Sequence, residues 1–492
     1  MFSITPSIIL GYVPYVLTGG GVLVVTWLFT LKTILTKIHN NLGIAPPTKE
    51  QTEEENHENH PLFRHLPILS KRIAWRELGE YPTPIHTGSI TPMAGGSIMK
   101  FYVKREDLSS PLYGGNKVRT LQHQIAVCEA KLRESEDDMD VLVIGTGGSN
   151  QIVATVAHGL HRLKLNVVPV WMEQDLPDVD NTLNMLSTLS FPVCRFFTWA
   201  SKLSMLKTML KSLFGNSHSI ILPPGGNNPS GVFGQMGGIL ELAEQIQREE
   251  MPDPDGIFLA IGSSCTITGI IMGIALTRIL NVPVFRKEQF KIHGMVIHHA
   301  IATLSRVTGM YHAHWSRHIP LSIRHSIIST SNELVKLGGP DLKEEAFKIL
   351  NNHVKVHGDK DIVGKYGGHS DRSRILSQKY DETGSIKDPI SPAKEASHLW
   401  LCGHFCAKAF AMMVQEWQLS GEDENKNFLF WQTKSNVQPK GEKDEWLRFL
   451  EMPEPIRTWG DKGKAESVLR PGKIDSKHGS KADYQNIMTK VT

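Results

Sequence analysis

Apolar runs of four to seven residues recur along the middle of the chain, each followed by apolar residues at helical spacing. "VLVIG" (141–145) precedes "NQIVATVAHGLHRL" (150–163), and "NVVPVW" (166–171) precedes "NTLNMLSTL" (181–189). "SIIL" (219–222) precedes "GVFGQMGGILELAEQIQ" (231–247), and "GIFLAIG" (256–262) precedes "TITGIIMGIALTRIL" (266–280). Strands without polar alternation are buried on both faces, so this order predicts parallel sheets covered by helices. "MKFYVKRED" (99–107) reads as a further strand entering a polar loop, and "FKILNNHVKVHG" (347–358) reads as helical. Right-handed crossovers place the loops after the strands along one sheet edge, where ligands of open α/β folds bind.

The first 31 residues carry no charged side chain, and their apolar run is long enough to span a bilayer. Lys32 and Lys37 follow it, then the polar stretch "PPTKEQTEEENHENHP" (46–61). The expectation is a membrane anchor over 1–40, spanning at 8–31, a polar linker over 41–70, and a catalytic region over 71–455 facing the cytosol. A single-pass membrane placement follows from it. Within the catalytic region a smaller domain of about 118–225 is nested in a larger one. The Lys/Gly/Asp-rich tail (456–492) is expected to be loosely ordered.

Charge narrows the function classes. The 53 Lys+Arg against 50 Asp+Glu leave no electrostatic footprint for nucleic acid. The five cysteines are scattered without CxxC spacing, which suggests neither a disulfide framework nor a zinc site and fits a reducing compartment. Histidines between 300 and 360 also lack metal-ligand spacing and read as surface or satisfied core residues, so no metal is expected. Candidate chemistry lies in glycine- and hydroxyl-rich loops. "GSSCTITG" (262–269) follows a strand and opens a helix, where backbone N–H groups and the hydroxyls of Ser263, Ser264, Thr266 and Thr268 suit a phosphate. "GTGGSNQ" (145–151) has the same setting. Its Ser149 either caps the helix or, with Asn150 and Gln151, meets a substrate carboxylate. "YGGNKVRT" (113–120) places Lys117 after two glycines and an asparagine.

Taken together, "VKREDLSSPLYGGNKVRTLQ" (103–122), "IGTGGSNQ" (144–151), "PPGGNNPSGVFGQMGG" (223–238) and "GSSCTITG" resemble the pyridoxal-phosphate (PLP) enzymes of the 1-aminocyclopropane-1-carboxylate (ACC) deaminase and D-cysteine desulfhydrase family. The resemblance is dense from about 82 to 275 and thin beyond. It implies a two-domain, fold type II α/β architecture of the tryptophan-synthase-β kind, with open, mostly parallel twisted sheets. It implies that Lys117 carries PLP, with Asn116 beside the cofactor ring. Ser149, Asn150 and Gln151 become the substrate loop, Ser149 being the nucleophile of the deaminases. Ser264, Cys265, Thr266, Thr268 and Gly269 become the phosphate loop. "GKYGGHSD" (364–371) resembles a segment that turns Tyr366 towards the active site. "CGHFCAKAFAMM" (402–413) resembles the helix whose start meets the pyridine nitrogen, aligning Phe405 and Cys406 there. "FLFWQTKS" (428–435) resembles a late strand and loop beside the ring.

The resulting expectation is a PLP-dependent lyase that eliminates or deaminates a small amino acid, D-cysteine desulfhydrase-like, with pyruvate, ammonia and sulfide as products. ACC deamination and racemisation are alternatives, as is a non-catalytic PLP-binding scaffold tethered to a membrane. Phe405 offers no phenol and Cys406 only a weak hydrogen-bond donor, which favours β-elimination over opening of the ACC ring. A homodimer is compatible with this family.

Overall fold

The computed structural model describes residues 41–134, 139–163, 165–172, 178–214, 219–297, 315–364, 367–389, 396 and 398–466. Their strands are β1 (Ile85–Ile90), β2 (Met99–Lys104), β3 (Asp140–Thr146), β4 (Val167–Met172), β5 (Ser219–Leu222), β6 (Gly256–Ile261), β7 (Lys291–Val296), β8 (Val354–His357), β9 (Ser385–Lys387) and β10 (Phe428–Trp431). Seven of them form one sheet in the order β8-β7-β6-β10-β2-β1-β9, and β4-β3-β5 form a second. The run from β8 to β2 is parallel, whereas β1 pairs antiparallel with both β2 and β9. The small sheet is all parallel, with Val141 opposite Val167 on one side and Ile220 on the other.

Burial explains why the apolar runs became central strands. All four residues of β10 and all but Ala260 of β6 are buried, so both faces need covering. Six helices matter for the site: α1 (Asn116–Glu134), α2 (Asn150–Thr155), α3 (Val179–Ser190), α4 (Pro229–Gln247), α5 (Cys265–Ile279) and α6 (Cys406–Leu419). Helices α4 and α5 approach closely because glycines face the contact. A Cβ on Gly273 would lie 2.0 Å from Ile239 Cγ2, and one on Gly269 would lie 2.2 Å from Gln235 Cβ.

A buried ionic network ties α1, α4 and the end of β2. Lys104 Nζ lies 2.6 Å from Glu241 Oε1, which also accepts from Arg119 Nη2 at 2.8 Å. Arg119 Nε donates to Glu106 Oε2 at 2.6 Å, and Thr83 Oγ1 donates to Glu106 Oε1 at 2.9 Å. All five side chains are buried. Arg119 stands two residues beyond Lys117, so this network fixes the start of α1.

Several expectations change. Among the described residues no helix is long and apolar enough to cross a membrane. That finding speaks against the expected transmembrane helix and the single-pass, cytosol-facing placement built on it; the span at 8–31 itself lies outside the described residues. Residues 41–70, expected as a linker, form short helical turns that bury Leu42, Leu62, Phe63 and Leu69. Within "FKILNNHVKVHG" the helix stops at Asn352 and Val354–His357 joins the sheet as β8. Helix α2 passes into a wider π-type turn over Val156–Arg162.

Candidate active site

The loops after β2, β3, β5, β6 and β10 meet at the carboxyl ends of the parallel strands. The first reaches Lys117 through two glycines. The Gly115 N–H bonds Glu106 O at 2.7 Å, and the Gly114 N–H bonds Ser435 Oγ at 3.0 Å. Gly115 has φ +96°, and a Cβ there would lie 2.6 Å from Thr433 O. Only glycine fits this close, left-handed passage. Gly115→Ala is expected to shift the start of α1, at about 1–2 kcal/mol for the backbone alone, and so to weaken cofactor binding roughly tenfold. Titration with PLP followed by its absorption checks this; unchanged affinity would contradict it.

Lys117 Nζ donates to Gly225 O at 2.9 Å. Burial lowers its pKa, only partly opposed by the Cys265 thiol, which burial itself raises to about 11 and so keeps neutral. Other buried lysines differ in having acidic neighbours. Lys104 pairs with Glu241, Lys434 faces Asp180, and Lys408 feels Asp178. All four are lowered by burial, and Lys117 differs from the others in having no carboxylate beside it to hold the charged form. It remains partly accessible, as do Ser149, Asn150, Gly225, Ser263 and Phe405, so solvent reaches the cleft where these loops meet.

The expected phosphate loop shows an unmet need. Ser264 has φ +70° and precedes α5, and its Oγ and Thr268 Oγ1 are buried without a hydrogen-bond partner. Buried hydroxyls are normally satisfied, so an acceptor-rich group at the α5 N-terminus fits them. Thr266 Oγ1 accepts from Asn116 Nδ2 at 2.8 Å, joining this loop to the residue before Lys117. Cys265 Sγ instead bonds Gly226 O at 3.4 Å, and Gly269 faces Gln235 of α4. These two pack the loop against its neighbours.

Ser149 caps α2, its Oγ accepting from Ile152 N at 3.4 Å. Gln151 Nε2 donates to Pro223 O at 3.2 Å, while its Oε1 is buried and unpartnered. Asn150 Oδ1 accepts from the Tyr113 hydroxyl at 3.1 Å and from Asn184 Nδ2 at 2.7 Å. Asn184 Oδ1 in turn accepts from Lys434 Nζ at 3.3 Å, and Lys434 stands over the Trp400 ring. Sequence reasoning assigned nothing to Tyr113, Asn184 or Lys434, although the first opens the "YGGNK" motif and the last lies in "FLFWQTKS".

Helix α6 begins at this cleft. Cys406 Sγ lies 3.4 Å from Thr433 Oγ1, and the Cys406 N–H points to Cys402 Sγ at 3.5 Å. Burial raises the Cys402 thiol; burial also opposes ionisation of Cys406, but hydrogen bonds from Cys402, Thr433 and the 433–434 backbone hold it below the ordinary thiol range. Phe405 stacks on His404 with centroids 4.1 Å apart and approaches Gly262, whose Cβ would lie 3.5 Å from its ring. Tyr366 lies outside the described residues. All five cysteines are free.

Residues 76–352 match the family model described as pyridoxal-phosphate dependent enzyme. The chain belongs to that family. Its cofactor is PLP, which the buried hydroxyls of Ser264 and Thr268 and the Lys117 amine, its pKa lowered by burial, fit. This PLP-dependent enzyme is 28% identical over 229 residues to a D-cysteine desulfhydrase of Serratia proteamaculans, covering 43% of this chain and 67% of the relative. It is 28% identical over 224 residues to a provisionally named ACC deaminase of Pyrococcus furiosus, covering 44% and 63%. The chain thus spans about two thirds of these relatives' length. A solved ACC deaminase homologue is similar at 19% identity with TM-score 0.47, covering 80% of this chain and 98% of that one. Yeast threonine synthase is similar at 11% identity with TM-score 0.45, covering 94% of each. At this modest identity the chain is similar in sequence to D-cysteine desulfhydrase and ACC deaminase relatives.

Proposed function

We propose that this chain removes a β-substituent from a small amino acid, converting D-cysteine and water into pyruvate, ammonia and hydrogen sulfide. The observation that carries the reading is the Lys117 amine, buried beside a neutral thiol and bonded to Gly225 O of the loop whose Pro223 O holds the Gln151 amide. PLP, when bound, supplies the electron sink for the negative charge that develops at the substrate α-carbon. Lys117 Nζ, its pKa lowered by burial, takes the proton from that carbon. Ser149, Asn150 and Gln151 hold the substrate carboxylate, with Tyr113 and Asn184 fixing the Asn150 amide. Ser264, Thr266 and Thr268 hold the cofactor phosphate, and Asn116 is placed by its bond to Thr266. The departing thiolate takes the electron pair of the carbon–sulfur bond and leaves as hydrogen sulfide after protonation.

One observation favours ACC deamination as a second reading. The Tyr113 hydroxyl, its pKa raised by burial, supplies beside Asn150 the phenol that Phe405 lacks. The two readings separate on one preparation. With D-cysteine the expected products are sulfide and pyruvate, and ACC yields 2-oxobutyrate at least about a hundredfold more slowly. Ser149→Ala should depress ACC turnover more than sulfide release. Efficient ACC turnover without sulfide from D-cysteine would reverse the order of the readings, and no turnover of either by PLP-loaded protein would favour the scaffold alternative.

A further inference from the structure

Away from the cleft, His293 of β7, His357 of β8 and Glu416 near the end of α6 come together. His293 Nδ1 lies 3.0 Å from His357 Nε2 and 3.8 Å from Glu416 Oε2, and one ligand atom from each residue lies within 4.8 Å of the others. The parallel register causes this. His293 pairs with Lys355 and Met295 with His357, so His293, Lys355 and His357 share the sheet face against which α6 packs. The Phe258 ring stacks on His293 at 4.3 Å and fixes its plane.

We propose that His293, His357 and Glu416 bind a divalent transition-metal ion of the zinc type. Two imidazoles and one carboxylate form a donor set suited to zinc, with a position left for water. Ligand atoms about 2.0–2.1 Å from one ion stand near the separations seen here, so modest side-chain adjustment closes the set. The ion would pin the far end of α6 to β7 and β8. It competes with two contacts, the His293–His357 hydrogen bond and the Lys355 ammonium 3.1 Å from Glu416 Oε2. The histidines are separated in sequence by the whole segment between β7 and β8, so spacing along the chain gives no hint of the site.

The test uses the full-length, PLP-loaded protein, treated with zinc chloride, desalted and assayed by elemental analysis. One zinc per chain is expected, with the melting temperature raised about 3 °C at a hundredfold excess over Kd. Glu416→Gln and His357→Asn should each weaken zinc binding at least about tenfold, with the PLP absorption band intact. Lys355→Met removes the competing cation and should tighten binding without deleting any ligand. Absence of retained zinc overturns the proposal, as does retention indifferent to Glu416→Gln and His357→Asn. Failure of Lys355→Met to tighten binding also overturns it, leaving a hydrogen-bonded histidine pair and an ion pair only.

Discussion

Lys117→Ala is expected to abolish the visible PLP absorption band and to lower turnover by about 10²–10⁴-fold, the usual contribution of a positioned proton acceptor. The expectation rests on where this amine lies. Its hydrogen-bond acceptor is a peptide carbonyl, burial depresses its pKa, and its thiol neighbour is neutral. Lys117→Arg keeps a cation but not a neutral amine, so it should fail equally. The direct measurement is borohydride reduction of the PLP-loaded protein followed by peptide mapping. The pyridoxyl group should appear on Lys117. A label on Lys408 or Lys434, both also buried with lowered pKa, would move the chemistry elsewhere in the cleft.

The second large effect concerns stability. Glu241→Gln strips Lys104 of its carboxylate while leaving its ammonium completely buried, and should cost about 3–5 kcal/mol in urea denaturation, the usual result of breaking one side of a buried pair. The double substitution with Lys104→Met removes both charges and should recover much of that loss. A single-variant cost below about 1 kcal/mol would show that the network contributes no more than a surface pair. The same carboxylate sets an acid limit. Burial alone pushes the Glu241 carboxyl up, yet Arg119 and Lys104 hold it down at about 2 in the folded chain, against an ordinary value of 4.5. Its folded pKa is depressed, so its stabilisation is complete above about 4.5 and drains away as pH falls towards 2. Denaturation midpoints should decline across that window in the natural chain and decline less in Glu241→Gln.

Legibility in the sequence followed from how each feature is encoded. Runs such as Gly256–Ile261 are apolar because two faces are covered, so their character survives without the fold. Gly115 reflects a local backbone requirement, visible beside Lys117 in one short motif. Tyr113, Asn184 and Lys434 were not legible, because the cluster they form with Asn150 is assembled from four segments distant in sequence. The polarity of residues 46–61 suggested a tether, yet Gln51 buries its amide against Ala126 O and the adjacent Leu62 and Phe63 enter the core. Average polarity concealed a few anchoring side chains. The apolar count that suggested a bilayer span used composition alone and found no support in the helices described.

The order of strands carries a consequence for how the chain is made. Strand β10 is the last of the described strands to leave the ribosome, yet it sits between β2 and β6, with Trp431 opposite Lys104 and Phe428 opposite Gly256. The middle of the large sheet therefore stays open until residues 428–431 have been synthesised, and pairing so distant in sequence is slow. A nascent or truncated chain ending before Phe428 presents two unpaired strand edges where the finished protein has none. Those edges invite pairing with other chains, so proteolysis or early termination upstream of residue 428 yields an aggregation-prone product rather than a smaller working enzyme.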